Sequence, residues 1–268
     1  MKFPALKTYA VVYLIFLYAP IVLLPVFAFN DSKVIAFPLS GFTTEWFTQM
    51  WGDQQLFNAV KNSAIIAVSS AVIATSLGVF AARASTRFQF PYKAGIMGLI
   101  MLPMVLPEMI ISMSMLVVLL AVGIPLSLFT IIMGHVLITT PFAVAILSSA
   151  FQSLDKSLEE AAYDLGETPL STFRLIILPL VMPGIVSSLL ICFTISIDEF
   201  IIAYFLGGNQ TVLSVYIYGQ FRFPAKVPSI LALGTILVAL SIVLLSIAEY
   251  FRRRGIAKTG AKDTGGFL

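Results

Sequence analysis

Apolar residues gather into six long runs that are separated by shorter polar stretches. The runs cover roughly residues 8–29, 58–82, 94–122, 128–151, 181–206 and 229–250. An apolar helix needs about 20 residues to cross a hydrocarbon core about 30 Å thick, and each run is long enough. Backbone polar groups in lipid must pair within the segment, which favours helices over barrel strands. The pattern predicts an all-α, polytopic membrane protein with six transmembrane helices.

The first run could also be a signal peptide. Signal peptides carry basic residues before their apolar core, and Lys2 and Lys7 precede this run. The run is about 20 residues long, however, and ends without a small-residue cleavage site. We interpret it as an uncleaved helix that is bent at Pro20 and Pro25. Residues 1–268 are expected to form a single transmembrane domain.

In the second run, small residues recur every four positions, which is typical of a ridge that lets another helix approach closely. They are Ser70, Ala74, Gly78 and Ala82.

Composition supports the membrane class. Apolar residues make up 59% of the chain and charged residues 11%, and the mean hydropathy is +0.99. This balance excludes an ordinary soluble domain, and a net charge of +3 gives little reason to expect a nucleic-acid partner. The single cysteine, Cys192, cannot form a disulfide within the chain. The single histidine, His135, has no neighbouring ligands in sequence, so we predict a hydrogen-bonded core residue and no metal site.

Between the fourth and fifth runs, the polar segment 152–180 carries helix start and stop signals. Ser157 stands three residues before Glu160, the spacing of a capping box, so a short helix is predicted to begin at Ser157. Gly166 lies where a left-handed C-cap would end that helix. An apolar stripe at helical spacing lies between them: Leu158, Ala161, Ala162 and Leu165.

A second helix is predicted directly after this glycine corner. Thr168 followed by Pro169 is an N-cap with proline at the first helical position. The helix would run towards Leu178, and Pro179 and Pro183 are expected to bend or break it.

The same residues carry a sequence signature. Glu160-Ala161-Ala162, three residues, Gly166, nine residues, Ile176, one residue and Leu178-Pro179 match every defined position of the E-A-A-x3-G-x9-I-x-L-P signature. The chain therefore resembles the permease subunits of bacterial ABC importers. The resemblance implies a MetI-like type I importer domain in which the short helix is a cytoplasmic coupling helix on an ATPase subunit. The coupling residues implied are Glu160, Ala161, Ala162, Asp164, Gly166, Leu178 and Pro179; a generic helical hairpin is the alternative.

The distribution of lysine and arginine predicts the orientation. Of the 16 basic residues, 12 fall on one side if the N-terminus is cytoplasmic: Lys2, Lys7, Arg83, Arg87, Lys93, Lys156, Arg174, Arg252, Arg253, Arg254, Lys258 and Lys262. Both termini are then cytoplasmic, and residues 251–268 are expected to be a basic, disordered tail. The segment 152–180 departs from this pattern, because five acids against two basic residues leave it at −3. Such a surface suggests partner docking, with a solvated helix face as the alternative.

Acidic residues interrupt two apolar runs. An ionisable side chain at membrane depth costs several kcal/mol unless it faces protein, water or a charged ligand, so Asp198 and Glu199, with Ser196, are expected to face a path. Pro103 and Pro107 predict irregular backbone within the third run. Counted at about 1.5 Å per residue, Glu108 lies with Asp198 about 21 to 26 Å from the cytoplasmic ends. Such an acidic layer would attract cations, with Tyr204 as a cation–π partner. The alternatives are that the acids cap a helix or pair with another subunit.

The outer loop, residues 30–57, is rich in aromatic residues and holds both tryptophans. Its Gly41-Phe42-Thr43-Thr44-x-Trp46 run resembles the corresponding loop of spermidine/putrescine permeases, where that tryptophan is associated with substrate passage. An interfacial aromatic belt is the alternative.

Over nearly its whole length the chain is similar to the second permease subunit of spermidine/putrescine importers. Glu108 and Glu199 stand where aspartates are expected in that family. Glutamate keeps the negative charge, but its side chain is longer by one methylene group. The resemblance therefore implies a small, cationic solute such as spermidine or putrescine. It leaves open an opine, an amino-acid derivative, ferric iron or thiamine.

The chain has no Gly-x4-Gly-Lys-Ser/Thr loop for ATP phosphates, so its driving force must come from elsewhere. The resemblance implies two ATPase subunits that bind ATP and Mg²⁺, a second homologous permease subunit and a periplasmic substrate-binding protein. It also implies a location among the lipids of the bacterial inner membrane and an alternating-access mechanism. No cofactor is expected in this chain, which is predicted to be non-catalytic.

Other classes of membrane protein fit the sequence less well. An ion-coupled secondary transporter normally shows an ion site and inverted repeats, and neither is evident. An intramembrane serine protease would need Gly-x-Ser-Gly, which does not occur. A lipid-modifying enzyme would need clustered histidines or aspartates.

Overall fold

A computed structural model describes the backbone of residues 4–259 and the side chains of residues 6–243. The helices in this range are α1 (Pro4–Ala28), α2 (Glu45–Trp51), α3 (Gln54–Arg87), α4 (Lys93–Met101), α5 (Glu108–Val122), α6 (Leu128–Gln152), α7 (Ser157–Asp164), α8 (Pro169–Thr172), α9 (Leu178–Asp198), α10 (Ile201–Leu206), α11 (Leu213–Gln220) and α12 (Val227–Thr259). Short 3-10 turns follow α4 and precede α12, and a π-helical turn, Phe173–Ile177, joins α8 to α9.

The described residues form two compact units. The first unit comprises residues 4–54 and 219–259, and the second comprises residues 55–218. In the first unit, α12 packs against both α1 and α2. Its core is formed by Ala28, Trp46 and Ala232.

In the second unit, α6 packs extensively against α9, and α10 packs against both α5 and α6. The apolar core follows α6 along its length. At one end Phe151 packs with Ile177 and Val181, and at the other Ile131 packs with Ile202.

The predicted spans are confirmed as helices in five of six cases. Helices long and apolar enough to cross a membrane are Leu6–Ala28, Gln54–Arg87, Leu128–Gln152, Pro169–Asp198 and Pro224–Val243. The third run, 94–122, also forms helices, but these are Lys93–Met104 and Glu108–Val122, which meet at 103°, in agreement with the irregular backbone predicted at Pro103 and Pro107. The break lies between Pro103 and Pro107, which cannot donate backbone hydrogen bonds. The depth estimated for Glu108 from a straight helix fails for the same reason.

The fifth span begins and ends earlier than predicted. Helical structure runs without interruption from Pro169 to Asp198, so neither Pro179 nor Pro183 breaks it. The π-helical turn ends two residues before Pro179, where a wider turn relieves the clash between a proline ring and the preceding turn. The helix stops where Glu199 is extended, at φ −67° and ψ 120°.

The C-terminal helix is longer than the last apolar run. Helix α12 continues to Thr259, so the first part of the segment predicted to be disordered, residues 251–259, is helical. That part contains arginine, alanine and lysine, which are good helix formers, around one glycine. Residues 260–268 of the predicted tail, including Lys262, and Lys2 at the other terminus lie outside the described residues.

The predicted small-residue ridge on α3 is buried. A Cβ atom added to Gly78 would lie 2.8 Å from the Cβ of Ala143 on α6. On α9, a Cβ added to Gly184 would lie 2.7 Å from the Cβ of Ala150 on α6. Helices α3 and α9 therefore each approach α6 to within a distance that leaves no room for a side chain.

Substitution of Gly78 tests this packing. We expect Gly78→Val to destabilise the protein by about 1–3 kcal/mol, because the larger side chain must displace Ala143 and Leu147. Thermal unfolding of the purified protein in detergent measures the change as a lower Tm.

Gly95→Val is the matched control, since a Cβ at Gly95 meets nothing within 4 Å. Equal Tm values for the two variants would contradict the close approach of α3 and α6.

Candidate functional site

The short helix α7 begins at Ser157 as predicted, but its cap differs. Ser157 is the first helical residue, and Lys156 occupies the N-cap position without a side-chain cap. The carboxylate of Asp155 accepts the Ser157 N–H at 2.9 Å. The predicted Ser157–Glu160 capping box is therefore wrong, because aspartate readily accepts the N–H two residues further on. This hydrogen bond holds the pKa of Asp155 below its ordinary value.

The glycine corner after α7 is confirmed. Gly166 has φ +87°, in the left-handed region. Its N–H donates to the carbonyl of Tyr163 at 2.9 Å, and the N–H of Glu167 donates to the carbonyl of Ala162 at 3.0 Å. These two bonds define a Schellman motif. A Cβ at this position would meet nothing within 4 Å, so the backbone conformation and not space requires glycine.

The second half of the corner begins as predicted. The Oγ1 atom of Thr168 accepts the N–H of Ser171 at 3.3 Å, and Pro169 is the first helical residue. The hydroxyl of Ser171 donates to the carboxylate of Glu167. Each helix end at the corner therefore has its own set of hydrogen bonds.

The corner presents an exposed surface with both charge and apolar area. Ala162 is buried, whereas Glu160, Ala161 and Asp164 are exposed. Apart from Ala162, the apolar stripe of α7 does not enter the core of its own chain, because Leu158 is 42% exposed and Leu165 is 85% exposed. Leu178 is half-buried and Pro179 is exposed at the start of α9.

An ion pair that the sequence pattern did not reveal ties α7 to α3. Nε of Arg87 donates to Oε1 of Glu159 at 2.7 Å. The contact places the C-terminal end of α3 and the loop after α6 on the same side of the unit, as the predicted topology requires. One sequence feature could have indicated this ion pair. Arg83 and Arg87 are four residues apart, which puts two guanidinium groups on the same face at the end of a helix.

The acidic residues lie at helix ends. Glu108 is the exposed first residue of α5, and Asp198 is the exposed last residue of α9. Glu199 is buried, and its Oε1 accepts the N–H of Ile202 in the first turn of α10 at 2.9 Å. The capping alternative therefore holds for Glu199. Helices α5 and α10 pack together, so Glu108 and Glu199 lie at the starts of two neighbouring helices.

Glu108, Asp198 and Glu199 form no salt bridge with a basic residue in the described part of the chain, whereas Glu159 pairs with Arg83 and Arg87. The structure thus leaves the acids at the two helix breaks without a basic partner in this range.

Ser196 is buried and links three helices. Its hydroxyl accepts a hydrogen bond from Ser70 of α3 at 2.9 Å and lies 2.7 Å from Nδ1 of His135 on α6. The prediction that His135 is a hydrogen-bonded core residue is confirmed. Ser196 lies inside the helix packing and not on an exposed surface of its unit, because it is only 4% exposed.

Tyr204 lies in an aromatic group whose other members the sequence pattern did not single out. Its ring centroid is 5.4 Å from that of Phe200 and 6.2 Å from that of Tyr218. The rings of Phe200 and Tyr218 are 4.9 Å apart. Tyr204 and Tyr218 are both half-exposed, and Phe200 follows the acidic pair directly in the chain.

Trp46 belongs to the first unit, where its side chain is 3% exposed. Its Nε1 donates to the carbonyl of Asn30 at 2.8 Å. The Asn30 side chain in turn accepts the N–H of Ser40 at 3.0 Å. Trp46 therefore fixes the outer loop onto its own unit and presents almost no surface within it.

Curated relatives resemble the chain over most of its length. The putrescine transport system permease protein PotI of Escherichia coli (strain K12) is 36% identical over 247 residues, which are 89% of this chain and 87% of the relative. The spermidine/putrescine transport system permease protein PotC of Shigella flexneri is 32% identical over 252 residues, 94% of this chain and 93% of the relative.

Among solved structures, the fold is similar to a bacterial ABC transporter involved in the import of the acidic polysaccharide alginate. The TM-score is 0.72 at 15% identity, and the match covers 94% of this chain and 99% of the other. A family model described as "Binding-protein-dependent transport system inner membrane component" matches residues 74–256. The chain therefore belongs to this family, the inner-membrane permeases of binding-protein-dependent ABC importers.

Proposed function

We propose that this chain forms half of an ATP-driven translocation path for a small cationic solute such as spermidine or putrescine. The observation that carries the proposal is the exposed corner formed by α7, Gly166 and α8. Its backbone is fixed by a Schellman motif on one side and a Thr168 cap on the other. A rigid, exposed, acidic corner is suited to receiving a force from a separate subunit.

The corner is continuous with a spanning helix. From Pro169 the chain stays helical to Asp198, through the π-helical turn, so a displacement of α7 moves one end of this 30-residue segment. We infer that an ATPase subunit docks on Glu160, Ala161, Asp164 and the exposed Leu165. ATP and Mg²⁺ would be bound by two such subunits, and no cofactor by this chain.

The remaining partners follow from the family. Because the family is described as binding-protein-dependent, we infer that an extracytoplasmic protein delivers the substrate. We propose that a second homologous permease completes the path, and that both termini are cytoplasmic, since α7 then lies on the side of the ATPase. Closure of the ATPase dimer would draw the two coupling corners together and turn the helices outward-open, and hydrolysis would reset them.

The proposed cargo is cationic because of the charge at the helix breaks. Glu108 and Asp198 are exposed, and the buried Glu199 follows Asp198 directly in the chain. The half-exposed ring of Tyr204 offers a face on which an ammonium group is favourably placed. Two relatives at 36% and 32% identity are named as putrescine and spermidine/putrescine permeases, which supports a polyamine over an opine, an amino-acid derivative, ferric iron or thiamine.

Gly166→Val tests the coupling role. Valine at φ +87° is strained by about 1–2 kcal/mol, so the corner should lose its geometry while the spans still insert. We expect weaker retention of the ATPase subunit by the tagged permease and loss of solute uptake in cells.

Gly166→Asn is the control, because asparagine tolerates the left-handed region better than other non-glycine residues. It should retain most of the uptake. Uptake at the wild-type level in Gly166→Val would remove the assignment of this corner as the coupling site.

Asp198→Asn tests the proposed cargo charge. Loss of one negative charge should lower uptake of labelled putrescine on the order of tenfold, equivalent to about 1.4 kcal/mol, without loss of ATPase retention. Initial uptake rates over a range of putrescine concentrations measure the effect.

The control is Asp31→Asn, which removes an exposed acid from the loop after α1 and should leave the rates unchanged. If Asp198→Asn transports putrescine as well as the wild type does, the carboxylate is structural.

A further inference from the structure

Two arginines at the end of α3 hold one acid of the coupling helix. Nε of Arg87 donates to Oε1 of Glu159 at 2.7 Å, and Nη2 of Arg83 lies 3.6 Å from Oε2. The exposed fractions of the three side chains are only 9% for Arg87, 16% for Arg83 and 13% for Glu159. This arrangement, Arg83, Arg87 and Glu159, is called the α3 clamp below.

The same arginines contact the chain on both sides of α7. Nη2 of Arg87 donates to the carbonyl of Leu154, which lies between α6 and α7, at 2.9 Å. The guanidinium carbon of Arg83 lies 4.7 Å from the centre of the Phe173 ring, in the π-helical turn that follows the corner. The α3 clamp therefore touches the segment before the coupling helix, the helix itself and the segment after it.

The neighbouring acid of α7 behaves differently. Glu160 belongs to the family signature and is exposed, whereas Glu159 points to α3 and is mostly buried. One turn of helix thus carries an outward acid that a partner can reach and an inward acid that a partner cannot. A shielded, hydrogen-bonded ion pair has little freedom to stretch, because separating it would leave charge without water or a counterion.

Helix α3 continues from the clamp to the centre of the unit. It is a single helix from Gln54 to Arg87, and its Ser70 donates to Ser196, two residues before Asp198. A shift of the Arg87 end therefore moves a helix that is hydrogen-bonded beside the acidic residues. This connection is separate from the covalent route through α8 and α9.

We propose that Arg83, Arg87 and Glu159 are positioning residues that pass the movement of the coupling helix to α3. This inference rests on the proposed coupling function, since it needs an ATPase subunit that moves α7. The clamp does not bind that subunit. It sets how much transport results from each ATP hydrolysed.

The test uses the assembled importer in proteoliposomes with its binding protein and labelled putrescine. Three quantities are measured: retention of the ATPase subunit, stimulated ATP hydrolysis, and uptake per ATP hydrolysed. For Glu159→Gln and Arg87→Gln we expect normal retention and continued hydrolysis, with uptake per ATP reduced about tenfold. Because the two residues act as one pair, the double variant should also lose about tenfold. Arg174→Gln, which removes an exposed arginine from the same segment, is the control for charge and should match the wild type.

Three results would overturn the inference. The first is wild-type uptake per ATP in Glu159→Gln. The second is loss of the ATPase subunit in parallel with uptake, because the side chain would then only shape the docking surface. The third is a loss of about a hundredfold in the double variant, which would mean that the residues act independently.

A conservative variant covers the case in which Arg87→Gln does not insert. Arg87→Lys keeps the charge, but lysine lacks the planar fork that contacts Glu159 and Leu154 together, so uptake per ATP should fall about two- to fivefold. Unchanged uptake per ATP in Arg87→Lys would also count against the clamp.

Failure of the proposed coupling function gives a different result. In that case the wild-type permease itself retains no ATPase subunit.

Discussion

The close approach of α3 and α9 to α6 is the constraint on which the rest of the second unit depends. Gly78 and Gly184 each leave space that an added Cβ would fill, so helix backbones can come near enough for short side chains to meet. Ser70, Ser196 and His135 form their hydrogen bonds in this region. Without a hydrophobic force between helices in lipid, such close packing and polar contacts are what hold them together.

Rigid packing of this kind confines irregular backbone to a few places. The third span breaks between Pro103 and Pro107, and the fifth ends at Asp198, where Glu199 is extended. Both breaks leave a carboxylate at a helix start, Glu108 at α5 and Glu199 at α10. The carboxylates of the apolar runs therefore lie where the helices are interrupted, as expected for membrane helices whose irregular segments are covered by protein or line a cavity.

The sequence was sufficient where the signal is local. The apolar runs located the spans, and Gly166, Thr168 and Pro169 defined the corner, because a left-handed residue and an N-cap depend only on nearby atoms. The sequence was insufficient where two neighbouring residues compete for the same role, since Asp155 and not Ser157 accepts the N–H at the start of α7. It was also insufficient where residues far apart in the chain decide the structure. The burial of Trp46 and Ser196 depends on tertiary packing, and the partners of Glu159 are more than 70 residues away in the chain.

The π-helical turn Phe173–Ile177 also determines which way α9 faces. A π turn takes in about one residue more than an α turn, and each residue of an α-helix turns the chain by about 100°. The direction in which each side chain from Leu178 to Asp198 points around the helix axis therefore depends on this single extra residue. Loss of one residue from the turn would leave the composition of the span almost unchanged, yet it would rotate Ser196 away from Ser70 and direct Asp198 to another side of the helix.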